Sequence, residues 1–320
     1  MTAHIDFMNL RTKMQEVIVG QDALLDRLLI ALLTGGHILL VGPPGLAKTT
    51  AVNTLARGVH GSFQRIQFTP DLMPGDLTGS DIYDPHDGKF RFVEGPIFHE
   101  IVLADEINRA PPKVQSALLE AMGEHQVTVG GTTRRLPDLF IVMATQNPLE
   151  QMGTYPLPEA QLDRFLLHIN LTYPSQEEEL EILRRDHRRH HGQDPVALET
   201  GLHPEQVMAA RRLIAEIHIE DMLERYIVLL VSATRELGTW KPEWREYIRI
   251  GASPRASIAL LHSASALAFL RGRDYVIPED VQEIAPDVLR HRIIPGYSAR
   301  AENVTVDQIV QYLLETIPVP

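Results

Sequence analysis

Gly42-Pro43-Pro44-Gly45-Leu46-Ala47-Lys48-Thr49 is the stretch on which the reading of this 320-residue chain turns. It follows the apolar run His37 to Val41 and precedes Thr50-Ala-Val-Asn-Thr-Leu-Ala, whose periodicity is helical. Strand, glycine-rich loop and helix in that order make a phosphate cradle. Successive backbone N–H groups point inward, and the helix presents the positive end of its dipole. Gly42, Pro43, Pro44, Gly45, Leu46, Ala47, Lys48, Thr49 and Thr50 are therefore the candidate nucleotide contacts. Lys48 is expected to reach the outer phosphates, and the Thr49 hydroxyl to hold magnesium. Ala47 stands where the general pattern has glycine, and alanine takes positive φ less readily.

Outward from this loop, short apolar runs alternate with helical patterns, which predicts an α/β fold with a parallel sheet flanked by helices. The expected strands are His37 to Val41, Ser62 to Phe68, Ile101 to Ala104, Leu139 to Ala144 and Leu166 to Leu171; their Val, Ile and Leu content suits strands covered on both faces. Two hairpins are expected as insertions, near 82–93 around Asp87-Gly88 and near 126–136 around Gly130-Gly131. After Tyr173-Pro174-Ser175 the pattern becomes helical with no further convincing strand, giving a nucleotide-binding domain over 1–173 and an all-helical one over 174–320. Ser175 and Glu178 can form a capping box at its first helix. Later helices are expected near 204–218, 221–235, 254–271, 278–290 and 305–315.

Four further features carry chemistry. Ile101-Val-Leu-Ala-Asp105-Glu106 delivers two carboxylates at the C-terminal end of a strand, where open α/β sheets bind ligands. Asp105 suits a magnesium shell, and Glu106 suits polarising a water for attack on the γ-phosphate. Asn147, after the next strand, can orient that water without adding charge, or simply cap the turn before Pro148. Arg164 precedes the last strand and suits a neighbouring subunit's phosphates, with an internal pair to Asp163 or Glu159 as the alternative. Arg255 places a cation in the first turn of a helix, which the helix dipole disfavours unless a phosphate lies opposite. Arg109 is a second candidate for an inter-subunit contact; Asn108, Lys113 and Gln115 add polar groups nearby, or solvate the helix opened by Pro111-Pro112.

The chain has no cysteine, which excludes disulfides, thiolate metal sites and cysteine nucleophiles. Its net charge of −12 disfavours a broad grip on nucleic acid. The N-terminus shows no basic, apolar export signal, and no apolar run approaches the roughly 20 residues of a membrane span, so a cytoplasmic protein is expected. The one dense basic cluster, Arg184 to His191, reads as a solvated helix end.

Taken together, Val19-Gly20-Gln21, Gly42 to Thr49, Asp105-Glu106-Ile107-Asn108-Arg109, Ala144 to Pro148, Leu157 to Phe165 and Ser253-Pro254-Arg255 resemble the AAA+ superfamily and, within it, the MoxR-type ATPases. Alanine before the lysine is usual in that family. The resemblance implies ATP and magnesium as cofactors, Gly20 and Gln21 near adenine, Asn147 as sensor 1, Arg164 as arginine finger, Arg255 as sensor 2 and 174–320 as a lid. It implies a hexameric homo-oligomer that remodels or activates a protein client, often one with a von Willebrand factor A domain. The alternatives are a nucleotide-gated binding module with negligible turnover, a subunit similar to the magnesium-chelatase motor, or a nucleic-acid motor.

Overall fold

A computed structural model describes residues 2–86, 88–148, 153–190 and 201–320. Five parallel strands form the central sheet in the order β2-β5-β8-β1-β9: β1 (Ile38–Val41), β2 (Phe63–Gln67), β5 (Ile101–Asp105), β8 (Ile141–Gln146) and β9 (Leu167–Asn170). Between them run β3 (Gly79–Asp84) with β4 (Lys89–Glu94) and β6 (Gln126–Val129) with β7 (Thr132–Arg135), each pair an antiparallel hairpin.

Side chains alternate across each strand, so one sheet feeds two cores. Ile38, Leu40, Ile101, Leu103, Ile141, Met143, Leu167 and Ile169 point to one face. Leu39, Val102, Ala104, Val142 and Ala144 point to the other, where they meet α5 (Pro112–Glu124) through Val114, Leu118, Leu119 and Met122. The first core holds α1 (Thr2–Val17), α2 (Asp22–Thr34) and α3 (Lys48–Gly58), and runs without interruption into the C-terminal helices.

Those helices are α7 (Gln176–His190), α8 (Pro204–Ile214), α9 (Asp221–Ala233), α10 (Leu237–Trp240), α11 (Pro254–Leu270), α12 (Pro278–Leu289), α13 (Tyr297–Ala301) and α14 (Val306–Thr316). Two more short helices, α4 (Pro74–Thr78) and α6 (Glu159–Leu162), belong to the sheet half. The α7 capping box forms as expected: the Ser175 N–H donates to Glu178 Oε2 at 2.7 Å and the Glu178 N–H to Ser175 Oγ at 3.3 Å. In place of a purely helical C-terminal region there is one short antiparallel pair, β10 (Ile248–Ile250) with β11 (Ile294–Pro295). Strands of three and two residues are too short to show a period of two, which is why the sequence hid them.

Arginines from the C-terminal helices satisfy the open carbonyl ends of the N-terminal ones. Arg185 of α7 donates to the Gln15 and Glu16 carbonyls of α1, and Arg211 of α8 donates to Leu32 of α2. Arg185 belongs to the basic cluster expected to be merely solvated, so part of that cluster is structural; His191 lies outside the described residues. The hairpin turns differ from each other. Val129 pairs with Thr132 across Gly130 and Gly131, both at positive φ, which makes the expected two-residue primed turn. Asp84 pairs with Lys89, so the other loop spans four residues instead of the tight turn expected at Asp87-Gly88, and Asp87 lies outside the described residues. Pro85 cannot continue the ladder of donors, and the Gly88 N–H closes on the Asp84 carbonyl at 2.9 Å.

Candidate active site

Strand order assembles the site. β1 delivers the phosphate loop, β8 lies beside it, and β5 lies beyond β8, so the ends of three neighbouring strands meet at one sheet edge. Pro44, Gly45, Leu46, Ala47, Lys48, Thr49, Thr50, Asp105, Glu106, Thr145 and Asn147 line one cavity of about 430 Å³. Gly42 and Pro43 form the base of the loop, where a Cβ at Gly42 would lie 2.9 Å from Leu171 at the end of β9.

The loop is built from backbone conformations that aim N–H groups inward. Gly45 has φ 86°, and Ala47, the residue before α3, has φ 54° and ψ 20°. Ala47 thus takes the left-handed conformation normally left to glycine, at a strain of about 1 kcal/mol that the surrounding loop sustains. The Lys48 ammonium donates to the Gly42 carbonyl at 2.6 Å and lies 3.5 Å from the Gln146 carbonyl. Burial draws it below its usual pKa, opposed by the Asp105 and Glu106 carboxylates.

Asp105 is only 8% exposed, and each of its oxygens is held. The Thr145 hydroxyl donates to Oδ1 at 2.6 Å, and the Arg65 guanidinium donates to Oδ2 at 2.6 Å and 3.1 Å. The same Thr145 oxygen accepts the Glu106 N–H at 2.9 Å. That contact stabilises Glu106 in a left-handed conformation, φ 56° and ψ 51°, rare for a non-glycine residue. The Glu106 carboxylate receives Gln67 Nε2 at 2.9 Å and lies 3.3 Å from Arg109. Arg65, Gln67 and Thr145 escaped the sequence reading, because their importance comes from β2 and β8 flanking β5; the only available signal was their place at strand ends.

Gln115 does not solvate its helix. It is fully buried and donates to the carbonyls of Ile107, Ala110 and Tyr155, pinning the turn after Glu106. Arg109 lies against Glu106 of its own chain. Gly20 and Gln21 stand outside the cavity lining: Gln21 donates to the Thr172 carbonyl at 3.4 Å, beyond β9. Gly20, at φ 69°, meets the α7 cap so closely that a Cβ there would fall 2.2 Å from the Glu178 carboxyl.

Neither Arg164 nor Arg255 is among the cavity-lining residues. Arg164 precedes β9, and because β9 runs parallel to β1 with Leu167 opposite Ile38, it sits at the N-terminal sheet edge, across the sheet from the phosphate loop. Its exposed side chain lies over Gly123 of α5. The internal pairs considered for it are made by others: Asp163 is held by Arg292 at 2.8 Å, and Glu159 by Arg249 at 3.0 Å. Arg255 extends toward Asp163, 3.9 Å away, while Ser253 caps α11 and donates to the same carboxylate at 3.1 Å. Arg255 thus lies by Asp163, the residue before Arg164, and neither arginine reaches the lining of the phosphate-loop cavity.

The donor set suits a hard divalent cation bound together with a nucleotide. Thr49 and Asp105 offer oxygen ligands, and among the described residues no group of three His, Cys, Asp or Glu forms a closed metal cage, so phosphate oxygens and water would complete the shell. Gly45 faces open space on its Cβ side, with no atom within 4 Å, leaving room for phosphates against the loop.

This combination of parallel sheet, phosphate loop, paired carboxylates and C-terminal helices defines an ATPase of the AAA type. Accordingly, residues 37–167 match the family model for ATPases associated with various cellular activities, and residues 244–313 match that of the AAA lid domain. Chaperone MoxR1 of Mycobacterium tuberculosis is 47% identical, over 96% of this chain and 81% of that protein. Protein MoxR of Paracoccus denitrificans is 33% identical, over 99% and 97%. The crystal structure of a Cytophaga hutchinsonii protein, 47% identical, superposes with a TM-score of 0.91 and covers 100% of this chain and 96% of that one. The chain belongs to the MoxR family of AAA+ ATPases. A 38 kDa magnesium-chelatase subunit of Acidiphilium rubrum is more distant, at 26% identity.

Proposed function

We propose that this ATPase couples magnesium-dependent ATP hydrolysis to remodelling or activating a partner protein, working as a homo-oligomeric ring in the cytoplasm. The observation that carries the reading is a division of labour across the sheet. Phosphate loop, carboxylates and Asn147 share one cavity, while Arg164 precedes β9 at the other sheet edge and Arg255 lies by Asp163, which suits both to another subunit's nucleotide.

Lys48 and the backbone amides around Ala47 bind the triphosphate. Thr49 and Asp105 would hold the magnesium ion, which when bound neutralises charge on the phosphate oxygens. Glu106 polarises the attacking water and accepts its proton, with Asn147 orienting that water. Arg164 of a neighbouring subunit stabilises charge that develops on the γ-phosphate, and Arg255 assists. No helix among the described residues is long and apolar enough to cross a membrane. A client bearing a von Willebrand factor A domain is the expected partner, and the net charge of −12 weighs against nucleic acid.

Mixing two inactive variants tests the arrangement. Glu106→Gln and Arg164→Ala should each lose turnover while binding nucleotide, and equimolar mixing should restore part of the phosphate release by pairing intact interfaces. If Arg164→Ala alone turns over like the parent, the trans arrangement fails. A nucleotide-gated binding module without turnover would instead show assembly on ATP and no phosphate release in a single-turnover experiment.

A further inference from the structure

Arg65 holds the buried carboxylate at the heart of the site yet is itself half exposed, with its side chain 51% accessible against 12% for Asp105. It lies on β2, the edge strand of the sheet, with its side chain exposed to the solvent into which the guanidinium can swing. Asp105 cannot move in the same way, because Thr145, only 1% exposed, fixes its other oxygen. Arg65 also has a second anchor on its own strand, the Gln67 Oε1 at 3.1 Å, to which it can retain a hold after leaving the carboxylate.

We infer that Arg65 is a positioning residue: a displaceable counterion on Asp105 that metal entry must move aside, and that thereby sets the metal affinity of the site. This rests on the nucleotide-and-magnesium reading given above. The physical ground is competition for one buried charge. A guanidinium 2.6 Å from Oδ2 stabilises the carboxylate as a divalent ion would, and two cations held within a few ångströms of each other on one carboxylate repel even where one of them is partly solvated. Bound metal therefore gains Asp105 only by giving up the stabilisation that Arg65 already supplies. The opposite role, in which Arg65 pre-orients Asp105 for the metal, predicts the reverse sign on removal.

The test is a Mn²⁺ titration read by the loss of the free-ion electron paramagnetic resonance signal, with a non-hydrolysable ATP analogue present. Arg65→Gln should bind Mn²⁺ about tenfold more tightly than the parent. Arg65→Lys, which keeps the charge, should stay within about threefold of the parent, and fluorescent-nucleotide affinity measured in chelator should not change between the three. Weaker or unchanged Mn²⁺ affinity in Arg65→Gln overturns the inference while leaving the nucleotide reading intact. A parent protein that takes up no Mn²⁺ with nucleotide overturns both.

Discussion

Thr145 offers the sharpest test of how the site is held together. Replacing it with valine keeps shape and volume but removes one hydroxyl, and with it two contacts: the 2.6 Å donation to Asp105 and the 2.9 Å acceptance from the Glu106 N–H. A hydrogen bond to a charged group contributes about 1.5–3 kcal/mol, and a buried donor left without an acceptor costs about 1–3 kcal/mol. Arg65 still holds Asp105 Oδ2, so the sum belongs near the lower end, about 3 kcal/mol. For a chain of 320 residues that corresponds to a fall in Tm of roughly 4–5 °C. Turnover should fall further than stability suggests, because Glu106 is kept at φ 56° partly by that N–H contact; losing about 2 kcal/mol of its orientation reduces kcat roughly thirtyfold. Differential scanning fluorimetry and steady-state phosphate release read the two effects, and Thr145→Ser should recover most of the rate. A valine variant that melts within a degree of the parent and turns over within a factor of two would refute the idea that this hydroxyl organises both carboxylates.

Three other expectations follow from the geometry. Ala47→Val puts a β-branched residue at φ 54°, so nucleotide affinity measured by fluorescence titration should drop at least tenfold, whereas Ala47→Gly should bind like the parent. Asp280 is fully buried and accepts from Arg271, Arg273 and the Ile277 N–H, so Asp280→Asn should destabilise the fold by about 1.5–3 kcal/mol in denaturant unfolding, with no direct effect on nucleotide contacts. Burial, with the nearby His125 and Arg211 charges adding to it, holds His37 near pKa 4 against an ordinary 6.5, although the Met122 carbonyl facing Nε2 favours the protonated ring; Nδ1 accepts the Val142 N–H. The unfolded chain takes up a proton below pH 6.5 that folded His37 refuses until about pH 4; this group should therefore lower stability across that window by up to about 3 kcal/mol. His37→Gln should remove that share of the decline seen by urea unfolding at stepped pH, leaving the share due to His168 and His291, whose pKa values burial also lowers.

The sheet was legible because its central strands β5, β8 and β1 are buried on both faces and rich in apolar residues, and each of the five expected runs coincides with an observed strand to within two residues at either end. The α7 cap and the Gly130-Gly131 turn were legible for a different reason: their chemistry is complete within four consecutive residues. Asp105, Glu106, Lys48 and Asn147 could be found from local strings, since each follows a strand that ends at the same sheet edge. What could not be read is everything that depends on which strand lies next to which. Arg65 and Gln67 gain their roles only because β2 neighbours β5, and Thr145 only because β8 neighbours it on the other side. Gln115 reads as a polar surface residue until the turn it pins is seen closing around it. Arg255 was expected opposite a phosphate on electrostatic grounds, and the fold shows a carboxylate of its own chain as its near neighbour.

The apolar core beneath the sheet has a consequence for anyone who wishes to dissect the chain. Phe7, Met14 and Leu28 from the first two helices lie in the same packed layer as Leu260, Ile284 and Leu313 from the last ones. Cleaving the polypeptide near Tyr173 would leave both pieces with a greasy wall facing water, even though the first piece would keep the separate core between the sheet and α5. Truncated fragments should accordingly aggregate when expressed separately and recover solubility only when produced together, behaving as halves of one body.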